Sequence, residues 1–323
     1  MAGFERFLSP MRLPISPLPH VFSESVLHLG FAIFPLSLGK REDPIAMLLD
    51  QPAFASYIMG RMKKLAFSLI CCISCLSQTT TTHRTIRVVA HRGEHLHAPE
   101  NTIAAFRGAV QAGADYFETD VRSTSDGKLV LMHDATVDRM TNGQGEVAAM
   151  THEAIRGLEV GLKMGSNWAG TQVPTFDEAL TFAREHSIGV YVDSKRLSAR
   201  DAVDAIARNG MQDRVVVYGG ATYLKEVAAL NSKLRVTPEA VNAATLKSLM
   251  ETLPLKVVAF DAKDFNDETI AVARSAGADI FVDRLGPADN PASWQDAIDR
   301  GATGIQTDKP AELVQYLKKN GYR

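Results

Sequence analysis

Short apolar runs alternate with longer amphipathic segments along most of this chain. After Arg84, runs typical of buried strands are separated by stretches such as "ENTIAAFRGAVQAG", in which apolar residues recur at helical spacing. The pattern predicts strands at Ile86–Ala90, Tyr116–Val121, Lys128–His133, Ile188–Val192, Arg214–Val217, Leu234–Val236, Val257–Phe260, Asp279–Val282 and Gly304–Thr307. Repeated strand–helix units over roughly 235 residues predict an α/β fold, a (β/α)8 barrel of the TIM type, with a doubly wound sheet as the alternative.

Nine predicted strands are one too many for an eight-stranded barrel. The second and third are separated only by "RSTSDG", which is too short for the crossover that parallel neighbours need. Asp126-Gly127 is instead the two-residue loop signature of an antiparallel hairpin. In that register Asp120 faces His133, and Glu118 lies on the same side of the sheet. The hairpin is therefore expected to bring these three side chains together at the barrel rim.

Ionisable residues stand at the ends of several predicted strands. The carboxyl-terminal ends of barrel strands form one face, so these side chains are expected to meet there. They are His91, Arg92, Glu118, Asp120, His133, Asp193 and Lys195. Carboxylates without thiolates suit Ca²⁺ or Mg²⁺, and two histidines suit an acid/base pair. Because Arg92 and Lys195 suit an anionic substrate, the combination indicates phosphodiester cleavage.

The overall composition narrows the classes of partner. Lys and Arg number 35 against 37 Asp and Glu, a formal net charge of −2, so the chain has no electrostatic footprint for nucleic acid. The three cysteines are Cys71, Cys72 and Cys75. A zinc–thiolate site, a disulfide and a cysteine nucleophile are therefore excluded from the rest of the chain. We expect a small-molecule substrate, and nothing in the sequence indicates a stable protein partner.

The stretch from Met62 has the layout of a secretory signal peptide. Two lysines precede the apolar run "LAFSLICCISCL", which small and polar residues follow. We predict a signal peptide over residues 62–77 and hence an exported protein, periplasmic or extracellular, with lipid anchoring through Cys75 as the alternative. A signal peptide begins its chain, so residues 1–61 are predicted to be a wrongly extended reading frame or a segment without a stable fold.

The motifs around the predicted rim residues occur in a distinctive order. "HRG", "PENT", "GAD" and "E.D" come first, and "DG.LV..HD", "VPTFDEAL", "DSK" and "GATGIQTDKP" follow. This series resembles the glycerophosphodiester phosphodiesterase family, and the resemblance covers about Arg87 to Leu317 within a predicted domain of residues 86–320. It implies a barrel of this type with a small insertion after the "HD" motif, here about residues 135–172.

The resemblance also implies roles for the residues that handle protons and phosphate. His91 and His133 correspond to the catalytic acid/base pair, and Arg92 to the residue that binds the substrate phosphate. Lys195 is expected to bind the phosphate as well, and Glu100 to orient the Arg92 side chain.

The implied metal site holds one divalent cation, Ca²⁺ or Mg²⁺. By resemblance Glu118 and Asp120 are two of its ligands. The third ligand in the family is usually Glu, two residues before a Lys, whereas this chain has the shorter Asp193 at that place. If Asp193 is the third ligand, the three carboxylates are expected to converge on one point between His91 and His133.

The expected reaction is metal-dependent hydrolysis of glycerophosphodiesters to an alcohol and glycerol 3-phosphate. The nucleophile is either water or the neighbouring glycerol hydroxyl, and either histidine can be the base. Three alternatives are a lysophospholipase D acting on acylated substrates, a phosphatidylinositol-specific phospholipase C and a non-catalytic phosphodiester-binding barrel. An apolar groove beside the metal would favour the first, and loss of a key group would favour the last.

Four polar residues near the "HRG" motif are assigned no part in catalysis. Asn101 and Thr102 are predicted to be N-terminal caps of the following helix. His95 and His97 fall outside the family motif and are predicted to be loop residues.

Overall fold

The computed structural model describes residues 85–239 and 242–323. The predicted signal peptide at 62–77, the upstream segment 1–61 and the alternative anchor Cys75 therefore lie outside the described residues. Among the residues that are described, none of the helices combines the length and the apolar character needed to cross a membrane.

The described residues form nine strands, and eight of them build a parallel barrel. The strands are β1 (Arg87–Ala90), β2 (Tyr116–Ser123), β3 (Leu129–Leu131), β4 (Gly189–Arg196), β5 (Val215–Tyr218), β6 (Arg235–Thr237), β7 (Val257–Phe260), β8 (Asp279–Arg284) and β9 (Gly304–Thr307). The hydrogen-bonded order is β6–β5–β4–β2–β1–β9–β8–β7, with β3 paired only to β2. A parallel bridge between Glu239 and Ala259 links the two ends of this order. The predicted (β/α)8 barrel is thus confirmed.

An α-helix follows each of the eight barrel strands, and in the case of β2 the hairpin strand β3 comes first. The helices are α1 (Ile103–Ala112), α2 (His152–Arg156), α3 (Phe176–Glu185), α4 (Ala199–Arg208), α5 (Ala221–Leu230), α6 (Ala243–Thr252), α7 (Asp267–Ser275), α8 (Pro291–Asp299) and α9 (Pro310–Lys319). Capping side chains determine where most of these helices begin. The Thr102 side chain accepts the Ala105 N–H at the start of α1, and Thr175 and Glu178 form a capping box at the start of α3.

Apolar side chains alternate along the strands between two layers. One layer fills the barrel interior with Val89, Tyr116, Tyr191, Val216, Val257, Ala259 and Phe281. Neighbouring strand residues, such as Val88 and Phe117, belong to the larger cluster that packs against helix residues, such as Phe106 and Leu180. The interior is therefore a packed core below the rim, as is usual for this barrel.

The hairpin of β2 and β3 is antiparallel as predicted, but its predicted register is wrong by one residue. Val121 pairs with Leu131, and the Met132 N–H donates to the Asp120 carbonyl at 3.0 Å. Asp120 therefore does not face His133, which lies two residues beyond the end of β3.

The register differs because the loop has three residues, Ser125 to Gly127, instead of two. The Thr124 hydroxyl oxygen accepts the Lys128 N–H at 2.9 Å and donates to an Asp126 carboxylate oxygen at 2.6 Å. Gly127 closes the loop with a left-handed φ of 74°. Three-residue hairpin loops commonly end on such a left-handed residue.

A segment with its own apolar cluster lies between β3 and α3. The cluster consists of Val130, Met132, Val137, Val147, Ile155, Val160 and Val173. The segment contains α2 and three short 3₁₀ turns. The predicted insertion, residues 135–172, falls within this segment.

Candidate active site

The seven predicted rim residues line one cavity of about 160 Å³. They are His91, Arg92, Glu118, Asp120, His133, Asp193 and Lys195. Glu100 lies outside the cavity lining, but its carboxylate oxygens accept hydrogen bonds from Arg92, each at 3.3 Å. We call the seven lining residues the histidine half of the rim.

Three carboxylates form the centre of the histidine half. Glu118 and Asp120 are alternate residues of β2, and Asp120 pairs with Asp193 in the parallel register of β2 and β4. One oxygen atom of each lies within 4.8 Å of the others. Glu118 is 3% exposed and Asp120 1%, so the charges are taken out of water. Burial, reinforced by Asp120 and Asp193, raises the pKa of Glu118 well above its usual value.

Lys195 and the backbone of Arg92 offset part of this negative charge. Lys195 Nζ lies 2.6 Å from Asp193 Oδ2 and 3.2 Å from Asp120 Oδ1. The Arg92 N–H donates to Glu118 Oε2 at 2.7 Å. Burial nevertheless raises the pKa of Asp193, although Lys195 opposes the shift. One ammonium group, together with an Arg92 guanidinium that is shared with Glu100, therefore does not balance three carboxylates.

Asn101 holds Asp120 in place and is not the helix cap that the sequence predicted. Its Nδ2 donates to Asp120 Oδ2 at 2.8 Å, and its Oδ1 accepts the Asp120 N–H at 3.1 Å. Thr119 donates its hydroxyl to the same Oδ1 at 2.7 Å. The predicted cap at Thr102 is confirmed. Asn101 has a left-handed φ of 57°, which turns its side chain away from α1 and toward β2.

Arg92 is held in a strained turn with part of its guanidinium free. Its φ of 52° is left-handed, and Gly93 follows it at 83°. A side chain at Gly93 would place Cβ 2.7 Å from the Ala105 backbone, so the turn packs directly on α1. The buried Arg92 Nε lies 3.5 Å from Asp120 Oδ2 and makes no hydrogen bond within the described residues. Arg92 also lines the cavity, so its guanidinium places positive charge at the cavity wall.

Each histidine of the site has a carboxylate on its Nδ1. His91 Nδ1 lies 2.8 Å from Asp308 Oδ1, and His133 Nδ1 lies 2.7 Å from Asp134 Oδ1. Burial acts to raise the pKa of Asp308, but hydrogen bonds from His91 and the Gly286 N–H outweigh it and lower the pKa to about 2. Asp308 is therefore ionised at neutral pH. With Nδ1 occupied, Nε2 of each ring is the nitrogen available for proton transfer.

His95 packs beside His91, whereas His97 is exposed. The His91 and His95 rings meet edge to face at 5.6 Å, and His95 Nε2 lies 3.6 Å from Asp308 Oδ1. His97 is 84% exposed and bonds to Glu94, as suits a loop residue.

Arg139 connects the supports of Arg92 and His133. Its guanidinium bonds to Glu100 Oε1 at 2.7 Å and to Asp134 Oδ2 at 2.6 Å. The hydrogen bond from Arg139, opposed by burial, holds the pKa of Asp134 well below its usual range. One cation from the segment after β3 thus fixes both carboxylates that orient the site.

The opposite side of the same cavity is acidic and aromatic. Tyr191, Tyr218, Glu239, Phe260, Asp261, Asp283 and Leu285 line it, and we call this set the acidic half of the rim. It comes mainly from β5 to β8, whereas the histidine half comes from β1 to β4 and the hairpin. The Tyr191 and Tyr218 rings are stacked at 6.1 Å.

Three groups among the described residues bring potential ligand atoms close enough for one metal ion. In the first, His91 and Asp308 already share a hydrogen bond, and in the second, Glu239, Asp261 and Asp264 surround Lys263. The third is the buried set of Glu118, Asp120 and Asp193, whose oxygen donors and excess negative charge fit a hard divalent cation.

The model of the glycerophosphoryl diester phosphodiesterase family matches residues 91–312. The chain belongs to this family. A glycerophosphodiester phosphodiesterase from Caldanaerobacter subterraneus subsp. tengcongensis is 31% identical over 243 residues, which cover 72% of this chain and 98% of that protein. Mouse glycerophosphodiester phosphodiesterase 1 is 34% identical over 161 residues, 49% of this chain and 48% of the mouse protein. These relatives identify the chain as a phosphoric diester hydrolase.

Solved structures of the phosphodiesterase family share the barrel. The enzyme from Agrobacterium tumefaciens superposes with a TM-score of 0.65 at 27% identity, covering 72% of this chain and all of that chain, 100%. An Oleispira antarctica phosphodiesterase, solved with the product sn-glycerol-3-phosphate, gives 0.67 at 20% identity, covering 72% of this chain and 97% of that chain. The second likeness establishes the common fold.

Several residues of this phosphodiesterase site were not found from the sequence. Asp308 and Asp134 lie inside the motifs "GATGIQTDKP" and "HD". A carboxylate within a family motif was therefore the signal that could have identified them. Asp283 had no such signal, because only the folded chain brings it to the cavity wall, and Arg139 meets Glu100 only in the fold.

Proposed function

We propose that this chain hydrolyses glycerophosphodiesters to an alcohol and glycerol 3-phosphate with the help of one divalent cation, Ca²⁺ or Mg²⁺. The observation that carries the proposal is the histidine half itself. It combines three converging carboxylates, two carboxylate-anchored histidines and a partly unpaired arginine around one cavity. Together these groups can hold a metal ion, bind a phosphate and transfer protons, which are three contributions that phosphodiester cleavage can use.

Glu118, Asp120 and Asp193 would hold the cation. All three offer oxygen, the donor that Ca²⁺ and Mg²⁺ prefer. A bound cation would withdraw charge from the phosphate oxygens and favour a deprotonated nucleophile.

Arg92 and Lys195 bind the phosphate in this account. Arg92 lines the cavity, its Nε–H has no hydrogen-bond partner among the described residues, and Glu100 fixes the other end of the guanidinium. Lys195 contacts the cluster of three carboxylates, with its Nζ 3.2 Å from Asp120 Oδ1. Both cations can therefore take up negative charge on the equatorial oxygens as the bond to the leaving group breaks.

His91 and His133 carry out the two proton transfers. One ring removes a proton from the nucleophile through Nε2, as the oxygen of that nucleophile bonds to phosphorus. The other donates a proton to the alcohol oxygen as the phosphorus–oxygen bond breaks. Asp308 and Asp134, on the Nδ1 atoms, fix the tautomers and stabilise the protonated rings.

A lysophospholipase D activity is the second candidate, and it rests on exposed apolar side chains. Leu96 is 49% exposed in the loop after β1, and Leu162 and Met164 are 41% and 43% exposed in the segment after β3. Pro99 and Gly161 of these two loops lie against each other. An acyl chain could contact this surface. The non-catalytic alternative requires the loss of a key group, and it has less support because His91, His133, Glu118 and Asp120 all line the cavity.

Parallel assays of glycerophosphocholine and lysophosphatidylcholine test the proposal. We expect choline release at least tenfold faster per enzyme from glycerophosphocholine, with glycerol 3-phosphate as the second product. Faster release from lysophosphatidylcholine would favour the second candidate, and release from neither would reject both.

A further inference from the structure

The acidic half of the rim is not used by the proposed mechanism. No side-chain hydrogen bond in the described chain joins its residues to the three carboxylates or to the two catalytic histidines. Yet it forms a wall of the same cavity, so any substrate placed on the histidine half extends toward it.

The environment of Asp283 is the strongest indication that this wall binds a ligand. Its carboxylate faces the cavity and has no hydrogen bond or ion pair with any described residue. The neighbouring Arg284 is committed elsewhere, with Nη2 at 3.1 Å from Asp296 and its guanidinium over Phe265. Burial, with Asp261 and Asp193, raises the pKa of Asp283 to about 7. A carboxylate placed this way is costly unless something positive joins it.

The rest of the acidic half adds negative charge with little to offset it. Asp261 and Glu239 share Lys263, whose Nζ lies 2.7 Å from Asp261 and 3.6 Å from Glu239. This lysine side chain is 68% exposed and also contacts Asp264 at 3.5 Å. A single, largely exposed ammonium among four carboxylates, counting Asp283, leaves an excess of negative charge near the cavity wall.

Aromatic faces complete the wall. Tyr191 and Tyr218 stack beside Asp283, and Phe260 lies next to Asp261 in sequence. Burial raises the pKa of Tyr218 above its usual range, so its hydroxyl stays neutral at physiological pH. Aromatic faces together with carboxylates attract ammonium and quaternary ammonium groups, while the rings tolerate their methyl groups.

We propose that the acidic half selects glycerophosphodiesters whose leaving alcohol carries an ammonium or quaternary ammonium group. Asp283, Asp261 and Glu239 face the charge, and Tyr191 and Tyr218 contact its carbon atoms. This inference rests on the proposed function and adds the substrate class to it. If the neutral glycerol of the substrate lay on this wall, the carboxylates would have no counter-charge. We therefore assign the glycerol to the part of the cavity that the acidic half does not line.

Two substrates that differ by one charge test the selection. Glycerophosphocholine and glycerophospho-3,3-dimethylbutanol have the same shape, with a carbon replacing the nitrogen in the second. We expect the wild-type chain to show a kcat/KM at least tenfold higher for the cationic substrate. In Asp283→Asn this ratio should fall about tenfold, and in Asp261→Asn about threefold, since the Asp261 side chain is 41% exposed and screened.

Asp264→Asn is the matched control. Asp264 belongs to the same acidic group but does not line the cavity. In Asp264→Asn the ratio of kcat/KM for the cationic substrate to kcat/KM for the neutral one should stay within twofold of the wild-type ratio. A fall in the control as large as that in Asp283→Asn would show a diffuse field effect and overturn the assignment. If Asp283→Asn does not fold, Asp261→Asn decides in its place.

Other outcomes separate this proposal from the proposed function. Hydrolysis of both substrates with a ratio near one would reject head-group selection and leave the phosphodiesterase intact. An equal loss on both substrates in folded Asp283→Asn would assign Asp283 to a shared part of the site and also reject it. If the wild-type chain binds two divalent ions and Asp261→Asn binds only one, the acidic half holds a second metal ion and the ammonium proposal is rejected. Hydrolysis of neither substrate, with choline binding that Asp283→Asn abolishes, would reject the phosphodiesterase and support the ammonium site.

Discussion

The two halves of the rim differ in how their charges are balanced. In the histidine half, each imidazole has its own carboxylate, Asp308 or Asp134, and Arg139 links the supports of Arg92 and His133. In the acidic half, Asp283 has no partner among the described residues, and Lys263 is shared. In the proposed account the histidine half is preorganised for chemistry common to any phosphodiester, while the acidic half leaves its counter-charge to the substrate. The two proposals thus assign reactivity and selectivity to different parts of one cavity.

Removing either imidazole should give the largest effect. We expect His91→Ala and His133→Ala each to lower kcat by ~10²–10⁴-fold, because each loses a proton-transfer group and little packing. Steady-state hydrolysis of glycerophosphocholine measures this. The exposed His97→Ala is the control and should keep wild-type kcat. A variant at either site that retained more than a tenth of the activity would remove that histidine from the mechanism.

Changing Asp193 should alter metal binding on the histidine half. Asp193→Asn removes a ligand charge and should weaken Ca²⁺ and Mg²⁺ binding by about 100-fold, as calorimetry can measure. Asp193→Glu adds the methylene that the family pattern has, and should retain binding but change the preference between the two ions. Asp213→Asn, at an exposed turn before β5, is the control. Unchanged affinity in Asp193→Asn would leave a two-carboxylate site.

Breaking the His91–Asp308 pair should have an intermediate effect. Asp308→Asn cannot stabilise a protonated His91, so kcat should fall by about 10- to 100-fold with little change in KM. Asp308→Glu should restore part of the loss if its carboxylate reaches Nδ1. A rise in KM with unchanged kcat would instead place Asp308 in substrate binding.

Replacing Asp283 should have the smallest of these effects, and we expect that effect in the free energy of unfolding. Its pKa is about 7 in the folded chain against an ordinary value of 3.8, so ionisation disfavours the folded state. The free energy of unfolding should therefore fall, through this group, as the pH rises from about 4 to 7. Asp283→Asn removes that dependence. Between pH 5 and pH 8 we expect the variant to gain on the order of 1–2 kcal/mol over the wild type, allowing for screening by cavity water.

Urea unfolding of the metal-free chain at the two pH values measures this gain. A variant that is less stable than the wild type at pH 8 would mean that Asp283 has a stabilising partner, and the contrast between the two halves would be lost.

The sequence could predict the barrel because each strand and helix carries its own periodicity. It also predicted the hairpin, since the segment between β2 and β3 is too short for a crossover. The register was wrong because the loop has three residues, Ser125 to Gly127, and is stabilised by the Thr124 hydroxyl and by the left-handed backbone of Gly127. His133 still lines the cavity, because the chain turns after Leu131 instead of continuing as a strand.

The candidate site was predictable where its residues share a motif, and less so where they meet only in the fold. Asp308 meets His91 because β9 closes the barrel beside β1, a contact between distant parts of the chain. Asn101 was expected to cap α1, the common use of its residue type, but its left-handed backbone directs it to Asp120. Asp283 follows three apolar residues and precedes Arg284 in its strand, and only its place on the cavity wall sets it apart.

Metal removal and restoration test the central claim most directly. The chain is stripped with a chelator, its metal content is checked by elemental analysis, and glycerol 3-phosphate release from glycerophosphocholine is followed with and without added Ca²⁺ or Mg²⁺. We predict a loss of at least ~10²-fold on stripping and recovery with one of the two ions, with no recovery in Asp120→Asn. Full turnover by a metal-free wild-type chain would contradict the account.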